Sequence, residues 1–434
     1  MSNSLPGSNP TAEKGHLAFE LGSAYAQKGD YSEAFRLYGE ALNIYEQIDA
    51  HQERAGVLRE LAALYENQGN YAEATRLYQE ALAAFELLGD QRGRAIILYQ
   101  LGRLLQNQGL YDETTRLYQE ALAAFERLGD QQGRAIILYQ LGRLLQNQGL
   151  YDEAARLYQE ALAAFERLGD QQGKAIILYQ LGRLLQNQGL YDEAARLYQE
   201  ALALAERLGS QEDRAAILYS LGTLLQAQDN NMEALRLYQE ALAIEERLDN
   251  INERASILHN LGTIYQQLGD YERALQLYRE SLTLKQRLGN QYGVAQTLHQ
   301  LGSVSQEQGS LQEAQRLYLE ALTIKQKLGD QSGVASTLHQ LGMLAQDSGE
   351  YEKARQLYKE AIRYRQQLGD REGEAVSLAQ SASLEEGDNN LEVALDYIQR
   401  AETIFSQTGS SYAEQAQRQR KRIEERIGLN SSKL

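Results

Sequence analysis

The chain has 434 residues, no cysteine, two prolines, and 60 acidic against 43 basic side chains, for a formal charge of −17. Without cysteine there are no disulfides, thiolate metal sites or cysteine nucleophiles, and the negative field opposes nucleic acid and anionic membranes as partners. No apolar run approaches the roughly 20 residues of a membrane span, and Met1-Ser-Asn-Ser-Leu-Pro-Gly lacks the apolar core of a secretory signal, so a cytoplasmic protein is expected.

In chain order, residues 1–14 read as a polar tail that holds both prolines, Pro6 and Pro10. From Leu21 to Gln380 the sequence then repeats every 40 residues. The blocks Leu101–Gln140 and Leu141–Gln180 differ only at Thr114/Ala154, Thr115/Ala155 and Arg134/Lys174. A fixed period of this length marks a solenoid. Such an array has no single central core, so the length does not call for two or three separate domains. The repeats contain no proline and are rich in Ala, Leu, Glu, Gln and Arg, which favours uninterrupted helices.

Within one period, Asp90 is placed to cap a first helix carrying Ala95, Leu98, Leu101, Leu104 and Leu105 at helical spacing, and Gly109 ends it. A second helix follows with Tyr111, Thr114, Leu117, Tyr118, Ala121, Leu122 and Phe125, and Leu128-Gly129-Asp130 stops it and caps the next unit. Each period is therefore an antiparallel helix pair. Gly102 recurs at 22, 142, 182, 222, 262, 302 and 342, and Ala121 recurs as Ala41, Ala81, Ala161, Ala201, Ala241, Ala321 and Ala361. A glycine inside a helix costs about 1 kcal/mol against alanine, so its return at one phase predicts close backbone approach.

Ten units start near Gly15, Ala55, Ala95, Ala135, Ala175, Ala215, Ala255, Ala295, Ala335 and Ala375 and span residues 15–408. The last is degenerate, with Ser381-Ala382 for Leu-Gly and Asn389 for the turn glycine. In the segment 409–434, Ser411–Ile427 reads as a basic polar helix (Arg418, Arg420, Lys421, Arg422, Arg426), expected to cap the last apolar face rather than to bind nucleic acid. The final Ser432-Lys433-Leu434 matches a peroxisomal address, which has meaning only in a eukaryote.

The order Leu101-Gly102, Leu105, Gly109, Tyr111, Ala154 (Thr114 in its sister unit), Tyr118, Ala121 resembles the tetratricopeptide repeat family. Two departures stand out: Leu98, Leu138 and Leu178 replace the first-helix tryptophan, and the closing proline is absent from a period of 40 rather than about 34. The long repeats ending in Leu-Gly-Asp resemble those of spindle-orientation adaptors and bacterial scaffold proteins. The resemblance implies an all-α, right-handed superhelical solenoid with a C-terminal capping helix and a concave groove lined by first helices. It further implies a non-enzymatic scaffold that binds a partner peptide or helix in that groove. The competing reading is a bacterial signalling regulator whose superhelix changes pitch when a peptide binds.

By this resemblance the groove positions are those of Tyr99, Arg103, Gln106 and Asn107. Their repeats are Tyr139, Arg143, Gln146 and Asn147, and Tyr179, Arg183, Gln186 and Asn187; the first column continues as Tyr219, His259, His299 and His339. Arginine offers a fork for carboxylates, Asn and Gln can bond a peptide backbone, and Tyr gives flat apolar area with a polar tip. The fit is to an acidic segment or a C-terminal carboxylate, although recent duplication alone would also copy these side chains. The three histidines invite a metal reading, but packed helices lie about 10 Å apart while zinc holds its ligands at about 2.1 Å. A polar aromatic lining, mildly pH-sensitive near pH 6.5, is expected instead. Leu110, Leu150 and Leu190 stand at turns where other units carry polar residues, and form either an apolar ridge for self-association or a satellite core contact. No phosphate-binding glycine loop, nucleophile elbow or His-Glu-x-x-His motif occurs, so neither catalysis nor a cofactor is expected.

Overall fold

The computed structural model describes residues 10–431; Pro6 and the Ser432-Lys433-Leu434 terminus lie outside them. The chain divides into two compact units, Met1–Ser210 and Gln211–Leu434. The first unit holds α1 (Pro10–Gln27), α2 (Tyr31–Gln47), α3 (His51–Asn67), α4 (Tyr71–Leu88), α5 (Gln91–Asn107), α6 (Tyr111–Leu128), α7 (Gln131–Asn147), α8 (Tyr151–Leu168), α9 (Gln171–Asn187) and α10 (Tyr191–Leu208). The second holds α11 (Gln211–Ala227), α12 (Asn231–Arg247), α13 (Ile251–Gln267), α14 (Tyr271–Arg287), α15 (Gln291–Glu307), α16 (Leu311–Leu328), α17 (Gln331–Asp347), α18 (Tyr351–Leu368), α19 (Arg371–Gly387), α20 (Leu391–Thr408) and α21 (Ala413–Ser431). Within each unit the helices pair as the 40-residue period predicts, and each second helix packs on the first helix of the following pair. The helix α1 reaches back into the stretch read as tail, because proline is tolerated at a first helical position, where its missing N–H has no partner to lose.

The turns follow the local chemistry. Asp90, Asp130 and Asp170 accept a hydrogen bond from the N–H of Gly93, Gly133 and Gly173 at 2.8–2.9 Å, capping α5, α7 and α9. Gly129 adopts a left-handed φ of 66°, so α6 ends with bonds from Gly129 N to Glu126 O (3.1 Å) and Asp130 N to Phe125 O (2.9 Å). Leu110, Leu150 and Leu190 occupy the N-cap positions of α6, α8 and α10 and make no side-chain cap bond. They are 46, 44 and 46 % exposed, so they are not satellite core.

The recurring glycine answers to an aromatic ring rather than to another backbone. A Cβ on Gly142 would stand 2.7 Å from Cε1 of Tyr158, and the same holds for Gly102 on Tyr118 (2.6 Å) and Gly182 on Tyr198 (2.7 Å). These tyrosines have 0 % exposure, with Ala121, Ala161 and Ala201 buried one turn further on. Each buried hydroxyl donates to a glutamine twelve residues earlier: Tyr118 to Gln106 (3.0 Å), Tyr158 to Gln146 (2.8 Å), Tyr198 to Gln186 (2.7 Å). That bond removes the penalty of about 1–3 kcal/mol for an unsatisfied buried polar group.

Three substitutions test the packing and the caps. Ala62 and Tyr78 occupy the glycine and tyrosine columns of the second pair, so one methyl can be accommodated. Gly142→Ala should therefore change stability by less than about 1 kcal/mol, the helix-propensity gain offsetting the contact. Gly142→Leu should cost about 1–3 kcal/mol by overpacking, read as a lower denaturant midpoint. Leu150→Asp restores a capping oxygen and should stabilise by about 1 kcal/mol in the same measurement.

Candidate functional site

The first helices of the first unit carry the predicted columns on one side. Tyr99, Tyr139 and Tyr179 are half-buried, with ring centroids 6.1, 6.2 and 5.8 Å from Tyr118, Tyr158 and Tyr198. Asn107, Asn147 and Asn187 are exposed at the ends of α5, α7 and α9. Gln106, Gln146 and Gln186 are only partly available, because each carboxamide oxygen is taken by the buried tyrosine hydroxyl. Their backbone-binding role narrows to the amide nitrogen. The signal for this was present in the sequence: the column holds Gln or Glu twelve residues before every such Tyr from Tyr78 to Tyr358, whereas Tyr38 follows Ala26 and its hydroxyl bonds Ser23 instead (3.0 Å).

The arginines divide into two kinds. Arg103 reaches across to the preceding first helix and bonds both oxygens of Glu66 at 3.0 and 3.1 Å. Glu66 is 8 % exposed and also accepts from Tyr78, 3.2 Å away. Thirty-seven residues before Arg143 and Arg183, where Arg103 has Glu66, stand Gln106 and Gln146, which carry no charge. Arg143 and Arg183 are exposed, and each lies over the tyrosine of its own helix, 5.7 Å from Tyr139 and 5.8 Å from Tyr179. Among the described residues neither is paired with a carboxylate. Two planar cations, pre-oriented by aromatic faces, are thus left to pair with something else.

In the second unit, Tyr219 carries the phenol of the same column, and the Nδ2 of Asn260 bonds both its hydroxyl and that of Tyr238 at 3.2 Å. His259, His299 and His339 are less groove-like than predicted. The Nδ1 of each bonds a hydroxyl on the following first helix: Thr297 (3.2 Å), Thr337 (3.2 Å) and Ser377 (3.0 Å). Those hydroxyls in turn accept from Lys285 (3.0 Å), Lys325 (2.9 Å) and Arg365 (2.8 Å), cations buried to 5–7 % exposure. The single proton of Thr297 goes to Gly293 O (2.9 Å) and that of Thr337 to Gly333 O (2.8 Å). His259 and His299 must therefore donate from Nδ1, which fixes the neutral tautomer.

The expected sensitivity near pH 6.5 is overturned. Burial, with the nearby cation adding to it, pushes His259 and His299 down to about 3 and His339 to about 4. Burial likewise lowers Lys285 to about 8. His339 is 5 % exposed and belongs to the core rather than to a groove lining. The missed signal was a joint change of three columns: Tyr219 to His259, Ile257 to Thr297, and a column that reads Phe from 85 to 165, then Ala205 and Glu245, to Lys285. Among the described residues no group of His, Asp and Glu is arranged to hold a metal ion.

The basic C-terminal helix is engaged internally. Arg420 pairs with Glu402 and Glu424 (both 2.6 Å), and Arg422 and Arg426 pair with Glu386 (2.7 and 3.1 Å). Ala416 and Ile423 bury the apolar side of α21. Among the described residues no helix is long and apolar enough to cross a membrane.

The depressed histidines make a signed prediction. Between about pH 3 and 6.5 the unfolded chain binds protons at these imidazoles that the folded chain refuses, so stability falls on acidification. Over pH 6.5 to 5, above most carboxylate titration, the urea midpoint should drop, and His259→Gln with His299→Gln should flatten that drop.

The tetratricopeptide repeat model matches residues 15–87, 93–167, 173–247, 213–287, 253–327, 293–367 and 333–407. No curated protein matches the chain. Among solved structures, the apo quorum sensor NprR from B. thuringiensis is similar at 16 % identity and TM-score 0.60, covering 83 % of this chain and 99 % of its own. The signal transduction ATPase with a tetratricopeptide repeat sensor from Pyrococcus horikoshii is similar at 15 % identity and TM-score 0.56, over 88 % of this chain and 54 % of that one. Apo RapI is similar at 17 % identity and TM-score 0.53, over 66 % and 99 %. At these identities the likeness is one of fold. With its helix pairs, its glycine–tyrosine packing and a family match over most of its length, the chain belongs to the tetratricopeptide repeat family.

Proposed function

We propose that the chain is a non-enzymatic cytoplasmic scaffold that captures an acidic partner segment, or a C-terminal carboxylate, along the first helices α5, α7 and α9. Tetratricopeptide repeats as a class mediate protein–protein interaction. The observation that carries the finer reading is the loss of counter-charge: Arg103 pairs with Glu66, whereas the residues 37 positions before Arg143 and Arg183 are the uncharged Gln106 and Gln146. On a chain of net charge −17, two exposed, unneutralised guanidinium groups in register are a local reversal of field. Each offers a carboxylate a bidentate partner. Tyr139 and Tyr179 add apolar area beneath them, and Asn147 and Asn187 stand one turn further on.

A second reading is a peptide-responsive regulator. Its support is the fold shared with NprR, named a quorum sensor, over 83 % of this chain. A scattering profile that shifts on addition of captured peptide favours the regulator; an unchanged profile with retained binding favours the rigid scaffold. Leu110, Leu150 and Leu190 add apolar surface for self-contact. Aspartate at all three should lower the sedimentation coefficient if the chain associates through them.

The charge argument is tested on an array of immobilised acidic, neutral and basic peptides. Wild type should retain acidic peptides, and Arg143→Ala with Arg183→Ala should lower that affinity at least about tenfold, since charge-assisted bonds contribute about 1.5–3 kcal/mol each. Helicity should not change. Arg103→Ala should behave differently, lowering stability more than capture, because it strands the buried Glu66. Full retention by the double variant would set the proposal aside.

A further inference from the structure

The final pair of second helices departs from the repeat in a way that the first-helix face does not use. In nine pairs the aromatic of the second helix sits in the core column, from Tyr38 to Tyr358. In α20 that column holds Ile398, opposite Ala382 in place of glycine, and the aromatic moves one position to Tyr397. A one-residue shift turns a helical side chain by about 100°. Tyr397 therefore leaves the core column and walls a cleft of about 600 Å³ between α18 and α20. Ile362, with the fully buried Leu378 behind it, forms its apolar part; its polar part holds three cations, Lys359, Arg363 and Arg400, against one carboxylate, Glu360.

The three cations are specific to this cleft. Arg400 stands where all nine preceding repeats carry glutamate, from Glu40 to Glu360. Arg363 replaces the Asn, Ala or Thr of the equivalent positions, and Lys359 replaces Gln in five of the eight earlier units. All three are exposed. Their existing pairings are loose: Arg363 to Glu360 and Arg400 to Asp396 are both 3.6 Å, in solvent, while among the described residues Lys359 has no ion pair. Exposed pairs of this kind contribute little net stability, so an incoming anion displaces them readily. The volume lies within the range of small-molecule sites, and the lining combines apolar area with a few convergent polar groups.

We propose that this cleft is a second ligand site, taking a small aromatic molecule that carries a phosphate or carboxylate. The ring stacks on Tyr397 beside Ile362, and the anion is held by Arg363, Arg400 and Lys359. The site belongs to the second unit, chiefly to α18 and α20, whereas Arg143 and Arg183 belong to first helices of the first unit.

The test uses naphthyl phosphate as probe on the full chain, by isothermal titration, with inorganic phosphate and naphthol as comparisons. Saturable binding of the ester, at least about tenfold tighter than either comparison, is expected from joint use of charge and ring. Arg400→Glu and Tyr397→Leu restore the side chains that other repeats carry, so the fold is retained, and each should weaken the ester about tenfold. Arg143→Ala with Arg183→Ala should leave ester binding unchanged. The proposal is overturned if the ester does not bind or binds no tighter than phosphate, which would mean an adventitious ion only. It is equally overturned if naphthol binds as tightly as the ester, or if the two reverted variants bind like wild type.

Discussion

The packing of a second-helix tyrosine onto a first-helix glycine fixes most of what this chain does with its residues. The ring sits so close that a Cβ on Gly102, Gly142 or Gly182 would stand 2.6–2.7 Å from it, so the column admits glycine or, as Ala62 shows, at most one methyl. The buried hydroxyl needs an acceptor, which fixes Gln106, Gln146 and Gln186. Three columns are thus committed to one contact, and the 40-residue period follows from stacking it. Where the contact is relaxed, the surface changes as well: Ala382 with Ile398 frees Tyr397 to line a cleft.

Chemistry is left to the columns that this contact does not consume. In the first unit, replacing Glu66 by its glutamine equivalents leaves the Gln–Tyr bond intact and removes only the charge that neutralised the arginine. One carboxylate thus separates a structural ion pair at Arg103 from available cations at Arg143 and Arg183. In the second unit the same first-helix column turns inward. His259, His299 and His339 bond hydroxyls supported by Lys285, Lys325 and Arg365, so polar groups replace the Ile and Phe of the first unit inside the core. Buried polar networks of this kind need every member satisfied, which explains why the three columns change together.

The fold was legible in the sequence because each determinant is local or periodic: Asp90 caps, Gly109 and Gly129 stop, and Tyr118 and Ala121 return at one phase. What one period cannot reveal is which neighbour a side chain meets. Gly102 was readable as a close approach but not as a seat for the Tyr118 ring. The histidines were readable as a column but not as buried partners of Thr297 and Thr337, because that contact joins residues 38 positions apart on different helices. The difference between Arg103 and Arg143 lay in the sequence as Glu66 against Gln106, and acquired meaning only when the structure showed the 37-residue span of that ion pair.

The central claim is that the first helices of the first unit form the capture face and that its unneutralised arginines do the capturing. Hydrogen exchange of the full chain, with and without an acidic peptide retained by the array, tests this most directly. The account predicts added protection in α5, α7 and α9, centred on Arg143 and Arg183, with α6 and α8 unchanged. Protection confined to the second helices, or to the second unit, would contradict it.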